Sequence, residues 1–194
     1  MDDLENHEHA EHAAHGGSKK IAMLIAVLAA MLALSEAGGK TANTAAQRHS
    51  IEANDQWGYY QAKNSRLSSL AANIELAEAL TKDSPPATVA AKDEAARKWR
   101  EKIAVYEKEK AEISEKAKEV EHERDHALGT LHSYETASAL LQLAIVLATA
   151  SVISGVVLLA AGSAGLGLCG GILAAMAYAN PVAAHAVLHF LRLV

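Results

Sequence analysis

Histidines are the residues of this sequence best suited to chemistry, and four of them stand close together near the N-terminus. They alternate with Glu8 and Glu11, and imidazole and carboxylate groups are common ligands of divalent metals. The segment ends in Gly16-Gly17 and is predicted to be mobile over residues 1–18, so nothing rigid would hold the ligands in place. A soluble cap that changes charge with pH is an equally good interpretation. The weak metal candidates are His7, His9, His12 and His15.

A second pair of histidines, His185 and His189, lies four residues apart near the C-terminus and would share one face of a helix. Helical pairs of this kind can hold a metal or haem, but no third ligand stands near them in the sequence. We interpret them as polar groups at the end of a transmembrane helix. No Ser-His-Asp set, Cys-His set or phosphate-binding glycine loop can be assembled either. The sequence therefore predicts a protein that is not an enzyme and that uses no cofactor.

The histidines are predicted to belong to a helical protein, part of which lies in water and part in the lipid bilayer. Charged residues are frequent up to residue 135, whereas Arg192 is the single formal charge after that point. Only 4% of residues are aromatic and alanine is abundant, which is typical of long helices and packed membrane spans. The net charge of −5 has both signs interleaved, so no basic patch marks nucleic acid as a partner. We predict an all-α integral membrane protein with the lipid bilayer as its partner.

Three apolar runs predict three transmembrane helices. The first occupies residues 19–39, because the apolar run at 21–34 can be extended to the roughly 20 residues that cross a bilayer. A cleavable signal peptide is the alternative interpretation of this segment. Residues 136–194 are predicted to form a transmembrane helical hairpin with its turn at 162–165, where the sequence is Gly-Ser-Ala-Gly.

The last span allows two interpretations. It could end near Tyr178, before Asn180-Pro181, and be followed by a separate interfacial helix, or it could continue with a kink to about Leu188. The length needed to cross a bilayer favours the continuous, kinked helix.

Small residues recur about one helical turn apart in these spans, which predicts close packing between helices in lipid. The predicted packing residues are Ala22, Ala26, Ala30, Ser151, Gly155, Gly167, Gly171 and Ala175. Glu36 lies near the end of the first span, where it can reach water, so we interpret it as a helix-terminal polar group. In an oligomeric pore the same residue would stand at the pore mouth.

Residues 40–135 are predicted to form a long antiparallel two-helix coiled-coil hairpin. Asp83-Ser84-Pro85-Pro86 ends one helix and starts the next, which places the turn at 83–87. The two arms are nearly equal in length, and each carries an apolar stripe at helical or heptad spacing. Gly58 in the first arm predicts close approach of another backbone or ring. The predicted packing and interaction residues are Trp57, Gly58, Tyr59, Tyr60, Trp99, Tyr106 and Ile113.

One segment of the first arm is distinctive enough to suggest a family. The sequence D-Q-W-x-Y-Y-Q-A-K, followed by a charged helix and a C-terminal membrane hairpin, resembles an uncharacterised bacterial family, domain of unknown function 4337. The residues that carry the resemblance are Asp55, Gln56, Trp57, Tyr59, Tyr60, Gln61, Ala62 and Lys63. The resemblance implies a bacterial membrane protein and supplies no activity.

Counting three crossings places the N-terminal tail on one side of the membrane and the charged hairpin and C-terminus on the other. Lys40, Arg48, Arg124 and Arg192 flank the spans on the hairpin side, against two lysines on the tail side. This balance favours a cytoplasmic hairpin at a bacterial inner membrane.

Three functions are compatible with these features to different degrees. The favoured one is a structural or interaction protein that forms a homo-oligomer or serves as accessory subunit of a membrane complex. The alternative is an oligomeric channel or transporter component with a pore formed by transmembrane helices. A metal-dependent enzyme that uses the histidines is the least supported.

Overall fold

The structure is a computed structural model that describes residues 2–190, with side chains described from Lys19 onward. Within that range the chain forms four α-helices and no strand: α1 (Asp2–Leu80), α2 (Pro86–Ser154), α3 (Val157–Ala179) and α4 (Pro181–Phe190). The predicted all-α class is therefore confirmed. The N-terminal metal candidates His7, His9, His12 and His15 lie outside the described side chains, as does Arg192, so the predictions made for the tail stay predictions.

Three of the four helices are long and apolar enough to cross a membrane, by length and composition. They are α1, in its part from Lys19 onward, α2 and α3, whereas α4 is a shorter apolar helix. This number agrees with the three spans predicted from the apolar runs.

Contacts divide the chain into two compact units. We call Met1–Ala46 with Asp125–Val194 the apolar unit, and Gln47–Arg124 the charged unit. Each unit contains part of α1 and part of α2.

In the charged unit, prolines determine where α1 stops and α2 begins. The amide of Ser84 donates to the carbonyl of Thr81 at 3.2 Å, and the carbonyl of Pro85 accepts the amide of Thr88 at 3.0 Å. Pro86 is the first residue of α2, a position whose amide would have no partner inside the helix. The turn therefore lies at residues 81–85, about two residues before the predicted 83–87. Pro86 rather than Pro85 begins the helix, because a residue that precedes proline is driven toward extended geometry.

In the apolar unit, two clusters of buried side chains join the helices. The first joins α1 to α2 and consists of Leu28, Leu141 and Ala144. The second joins α2 to α3 and α4, and its members are Tyr134, Ala137, Leu173, Ala177, Ala184 and Leu188. Alanines supply much of this core, which lets the helices approach closely.

The turn between the last two predicted spans lies at Gly155-Val156, so the predicted turn at 162–165 is wrong. Gly155 has φ +70°, a left-handed conformation that favours glycine after a helix end. Its amide donates to the carbonyl of Ser151 at 2.9 Å, and the Ser151 hydroxyl donates to the carbonyl of Val156 at 2.9 Å. Residues 162–165 stay helical within α3, where the buried hydroxyl of Ser163 donates to the carbonyl of Ala144 at 2.7 Å.

The preferred continuous helix from the third span to Leu188 is also wrong, because the chain breaks at Asn180. The amide of Asn180 donates to the carbonyl of Met176 at 2.7 Å and ends α3. The side-chain Oδ1 of Asn180 accepts the amide of Ala183 at 3.1 Å and caps α4, which starts at Pro181. With 23 residues, α3 is already long enough to span without α4.

Candidate functional site

Trp57 is the best-anchored aromatic residue of the charged unit. Its Nε1 donates to Oε1 of Glu121 on α2 at 3.1 Å. The Trp57 ring meets the ring of Tyr60 edge-on, with centroids 5.4 Å apart and an interplanar angle of 75°. Such edge-to-face pairs stabilise beyond the area they bury. Trp57 and Tyr60, which the sequence predicts to pack on protein, thus contact each other, and Trp57 also contacts α2.

Lysines and aromatic rings alternate across the α1–α2 contact in the same unit. Lys63 forms an ion pair with Glu109 and lies 4.5 Å from the centre of the Tyr106 ring. Lys110 lies 5.4 Å from the centre of the Tyr60 ring and donates to Oδ1 of Asn64 at 3.1 Å. These cation–π contacts explain why Lys110, Tyr60 and Tyr106 occur where α1 meets α2. A purely apolar contact between helices would need neither the lysine nor the tyrosines.

The side of α1 that carries Gly58 and Tyr59 faces away from these lysine and aromatic contacts. A Cβ placed on Gly58 would have no heavy atom within 4 Å, so the predicted close approach at Gly58 is wrong for the isolated chain. Tyr59 is 62% exposed. The helix turns these two residues outward because Trp57 and Tyr60, three apart, occupy the inner face.

Trp99, Tyr106 and Ile113 on α2 are partly buried, which fits their predicted packing role. Trp99 and Tyr106 line a shallow groove with Val105, which is exposed. At the rim of this groove the Lys98 ammonium hydrogen-bonds Glu94 at 2.8 Å, and this bond, with the charge of Lys98, lowers the pKa of the Glu94 carboxyl.

In the apolar unit, serine hydroxyls join α1 to α2. Ser35, only 1% exposed, donates to the carbonyl of Tyr134 at 3.2 Å and accepts from the Ser138 hydroxyl at 3.0 Å. Gly38 makes room for the Tyr134 ring, since a Cβ at Gly38 would lie 2.5 Å from Cζ of that ring. Small and hydroxyl residues thus bring these helices together.

Glycines on α3 lie against α1 on one face of the helix and against α2 on another. A Cβ on Gly167 would collide with Leu28 of α1, and one on Gly171 would collide with Met31, so both predicted packing residues lie against α1. Gly170, which was not among the predicted packing residues, faces α2, where an added Cβ would lie 3.0 Å from Cγ of Leu141. The sequence feature that could have indicated Gly170 is its spacing from Gly167 and Gly171. Glycines three and four residues apart leave adjacent faces of a helix open to close contact.

The remaining predicted membrane-packing residues have other positions. Gly155 forms the turn rather than a helix contact, and Ala175 is exposed. Ser151 is buried, but its hydroxyl serves the turn. Ala22, Ala26 and Ala30 are also exposed, because α1 packs through its opposite side, which carries Leu24, Leu28, Met31 and Ser35. Within this chain their predicted packing role is therefore wrong.

The exposed alanines form one continuous surface, which we call the alanine face. At 3.6 residues per turn its members fall within a sector about 100° wide, opposite Leu28 and Ser35. Its members are Ala22, Ala26, Ala29, Ala30, Ala33 and Ala37, all exposed. The other two span candidates expose large residues, such as Leu143 and Val146 on α2, and α3 exposes small residues as well, such as Gly165 and Ala175.

The ionisable side chains that the structure describes in the apolar unit include the sequence candidates His185, His189 and Glu36. No group of three or more His, Cys, Asp or Glu side chains that could hold a metal occurs among the described residues. His185 is packed against Gly129 with its Nδ1 buried and without a hydrogen-bond partner, whereas His189 is exposed. Glu36 is exposed and lines a groove together with Lys40 and Glu135.

Residues 17–180 match the family described as "Domain of unknown function (DUF4337)". This chain belongs to the DUF4337 family. The resemblance based on residues 55–63 is thereby confirmed. Neither a curated protein nor a solved structure matches the chain. The DUF4337 match contains all of α2 and α3 and ends at Asn180, the residue that caps α4.

Proposed function

We propose that this DUF4337 protein is a membrane-anchored structural or interaction protein of the bacterial inner membrane. In this proposal it self-associates, or joins a larger membrane complex as an accessory subunit, and has no catalytic chemistry. The charged unit and the C-terminus lie on the cytoplasmic side and the N-terminal tail on the other.

The alanine face is the observation that carries the proposal. In lipid there is no hydrophobic drive between helices, so contact depends on close van der Waals packing at small residues. Residues that face only lipid have no reason to be small, yet six exposed alanines lie together on one side of α1. A second helix seated on the alanine face would explain why this side of α1 is built from alanine.

The test is the mass of the particle in native nanodiscs, with a matched pair of substitutions. Ala26→Leu enlarges the alanine face, whereas Val146→Leu changes an exposed position of α2 where large residues already occur. We expect an oligomer or a hetero-complex for the unmodified chain and for Val146→Leu, and dissociation for Ala26→Leu. A monomer without companions in the unmodified chain refutes the proposal.

The second candidate is an oligomeric channel or transporter component, and Glu36 is the observation that favours it. Glu36 is exposed and precedes Ala37, so copies joined through the alanine face could place a ring of carboxylates at a pore mouth. Ion flux into liposomes tests this function. Flux that is absent, or that Glu36→Gln changes no more than Glu119→Gln in the charged unit, counts against a channel.

A further inference from the structure

A groove between α1 and α2 lies at one end of the apolar segments of both helices. Its volume is about 410 Å³, within the ~300–1,000 Å³ range of small-molecule sites. Its floor contains Ser35 and Ser138, and charged side chains of Lys40 and Glu135 stand around it. On α1 the groove begins just after the apolar run at 21–34, and on α2 it ends where the apolar run up to Ser154 begins. We call it the boundary groove.

Exposed carboxylates, rather than the serines of the floor, are what the boundary groove offers a ligand. The Ser35 and Ser138 hydroxyls are buried and already hydrogen-bonded. The carboxylates of Glu36 and Glu135 only accept hydrogen bonds, and Oε2 of Glu135 also lies 3.3 Å from Nδ1 of His132. Amide side chains that line the groove can both donate and accept. With two carboxylates against one ammonium, a ligand with N–H donors on a cationic group fits this surface better than a simple anion.

Lys40 adds the one positive charge of the groove and changes which cation fits. A simple cation would leave this ammonium without a partner, whereas a zwitterion places its negative group at Lys40 and its positive group at the carboxylates. A phosphate next to a primary ammonium has this arrangement, with three N–H donors on the nitrogen. The volume of the groove and its two signs of charge match that headgroup.

We propose that the boundary groove binds the headgroup of a phospholipid that carries a primary ammonium, such as phosphatidylethanolamine. The inference rests on the membrane placement in the proposed function, because only then does the groove lie at the level of the headgroups. It does not depend on self-association. Phosphatidylglycerol is disfavoured because its net negative charge meets two carboxylates, and phosphatidylcholine because its methylated nitrogen donates no hydrogen bond.

Native mass spectrometry of the delipidated full chain in mild detergent tests the proposal with three lipids of identical acyl chains. Dioleoyl-phosphatidylethanolamine should bind about tenfold more tightly than the phosphatidylcholine or phosphatidylglycerol analogue, the scale of a lost charge-assisted hydrogen bond. Lys40→Gln and Glu135→Gln should each remove the preference. Lys118→Gln and Glu119→Gln, exposed in the charged unit, should retain it.

Three outcomes of the lipid comparison overturn the proposal. They are equal binding of the three lipids, tighter binding of phosphatidylglycerol, and an ethanolamine preference that persists in both groove variants. Soluble glycerophosphoethanolamine that binds as tightly as the lipid would also overturn it, since the ligand would then need no bilayer. Gel filtration of each variant checks that it is folded, and Lys40 and Glu135 are both exposed. The same spectra report the number of chains per particle, so failure of lipid binding is distinguishable from failure of self-association.

Discussion

Gly170→Ala, measured against Gly162→Ala, isolates the contact between α3 and α2. Both glycines are inside α3, so both substitutions gain the same helix propensity, about 1 kcal/mol at most. They differ in what the new methyl group meets. At Gly162 it would meet nothing within 4 Å, whereas at Gly170 it would lie 3.0 Å from Cγ of Leu141 and 3.1 Å from the backbone oxygen of Ala137.

A backbone oxygen cannot rotate away as the end of a side chain can, so α3 must shift from α2 in Gly170→Ala. Overpacking of this kind costs about 1–3 kcal/mol. Because the propensity gain cancels between the two variants, that cost is the expected difference in their free energies of unfolding. At about 2–4 °C per kcal/mol for a chain of this size, Gly170→Ala should lose its folded peak several degrees below Gly162→Ala.

The assay heats each variant in mild detergent and measures the folded fraction that remains on gel filtration. Gly162→Ala should be as stable as the unmodified chain or slightly more stable. Equal midpoints for the two variants, or a higher midpoint for Gly170→Ala, would show that α3 does not pack on α2 through Gly170.

Three further predictions concern single contacts. Trp57→Phe keeps the ring but removes the donor to Glu121, and should lower the free energy of unfolding by about 1–2 kcal/mol in denaturant titrations followed by circular dichroism. Gly58→Ala should raise it by about 0.5–1 kcal/mol in the same titration, because the added methyl group meets open space in a helix; a loss of stability would instead indicate a partner at this position. Gly38→Ala should lower the thermal midpoint in detergent, at a cost of about 1–3 kcal/mol, because the Tyr134 ring must move.

The helices themselves could be predicted from the sequence because their signals are local. Apolar runs of sufficient length indicate the three span candidates, and the structure has three helices of that kind. The Pro85-Pro86 pair indicates the turn of the charged unit to within about two residues, since a missing amide and a fixed φ act on the immediate neighbours. The Trp57–Tyr60 pair could likewise be assigned to the packed face from helical periodicity.

Interactions between helices could be predicted only in part, because the residues involved look alike in sequence. Gly162-Ser163-Ala164-Gly165 has the composition of a turn, yet Ser163 needs a helical position to reach the carbonyl of Ala144. Gly155 has a left-handed backbone, but its neighbours in the sequence do not distinguish it from the other glycines. Ala26 has the spacing of a packing residue as Gly167 does, but only the position of a partner helix decides which of them is covered.

The two-residue link between α2 and α3 has a consequence for the order in which contacts can form. The hydrogen bond from Ser163 to Ala144 joins residues 19 positions apart, whereas the bond from Ser35 to Tyr134 joins residues 99 positions apart. Closing the shorter loop loses less chain entropy, so α2 and α3 should pair first. At about 5–20 residues per second, Ser35 is synthesised on the order of 5–20 s before Tyr134 exists. During that interval the side of α1 that carries Leu28 and Ser35 has no α2 to pack on. The alanine face, which stays exposed in the folded chain, can meanwhile meet the α1 of another copy.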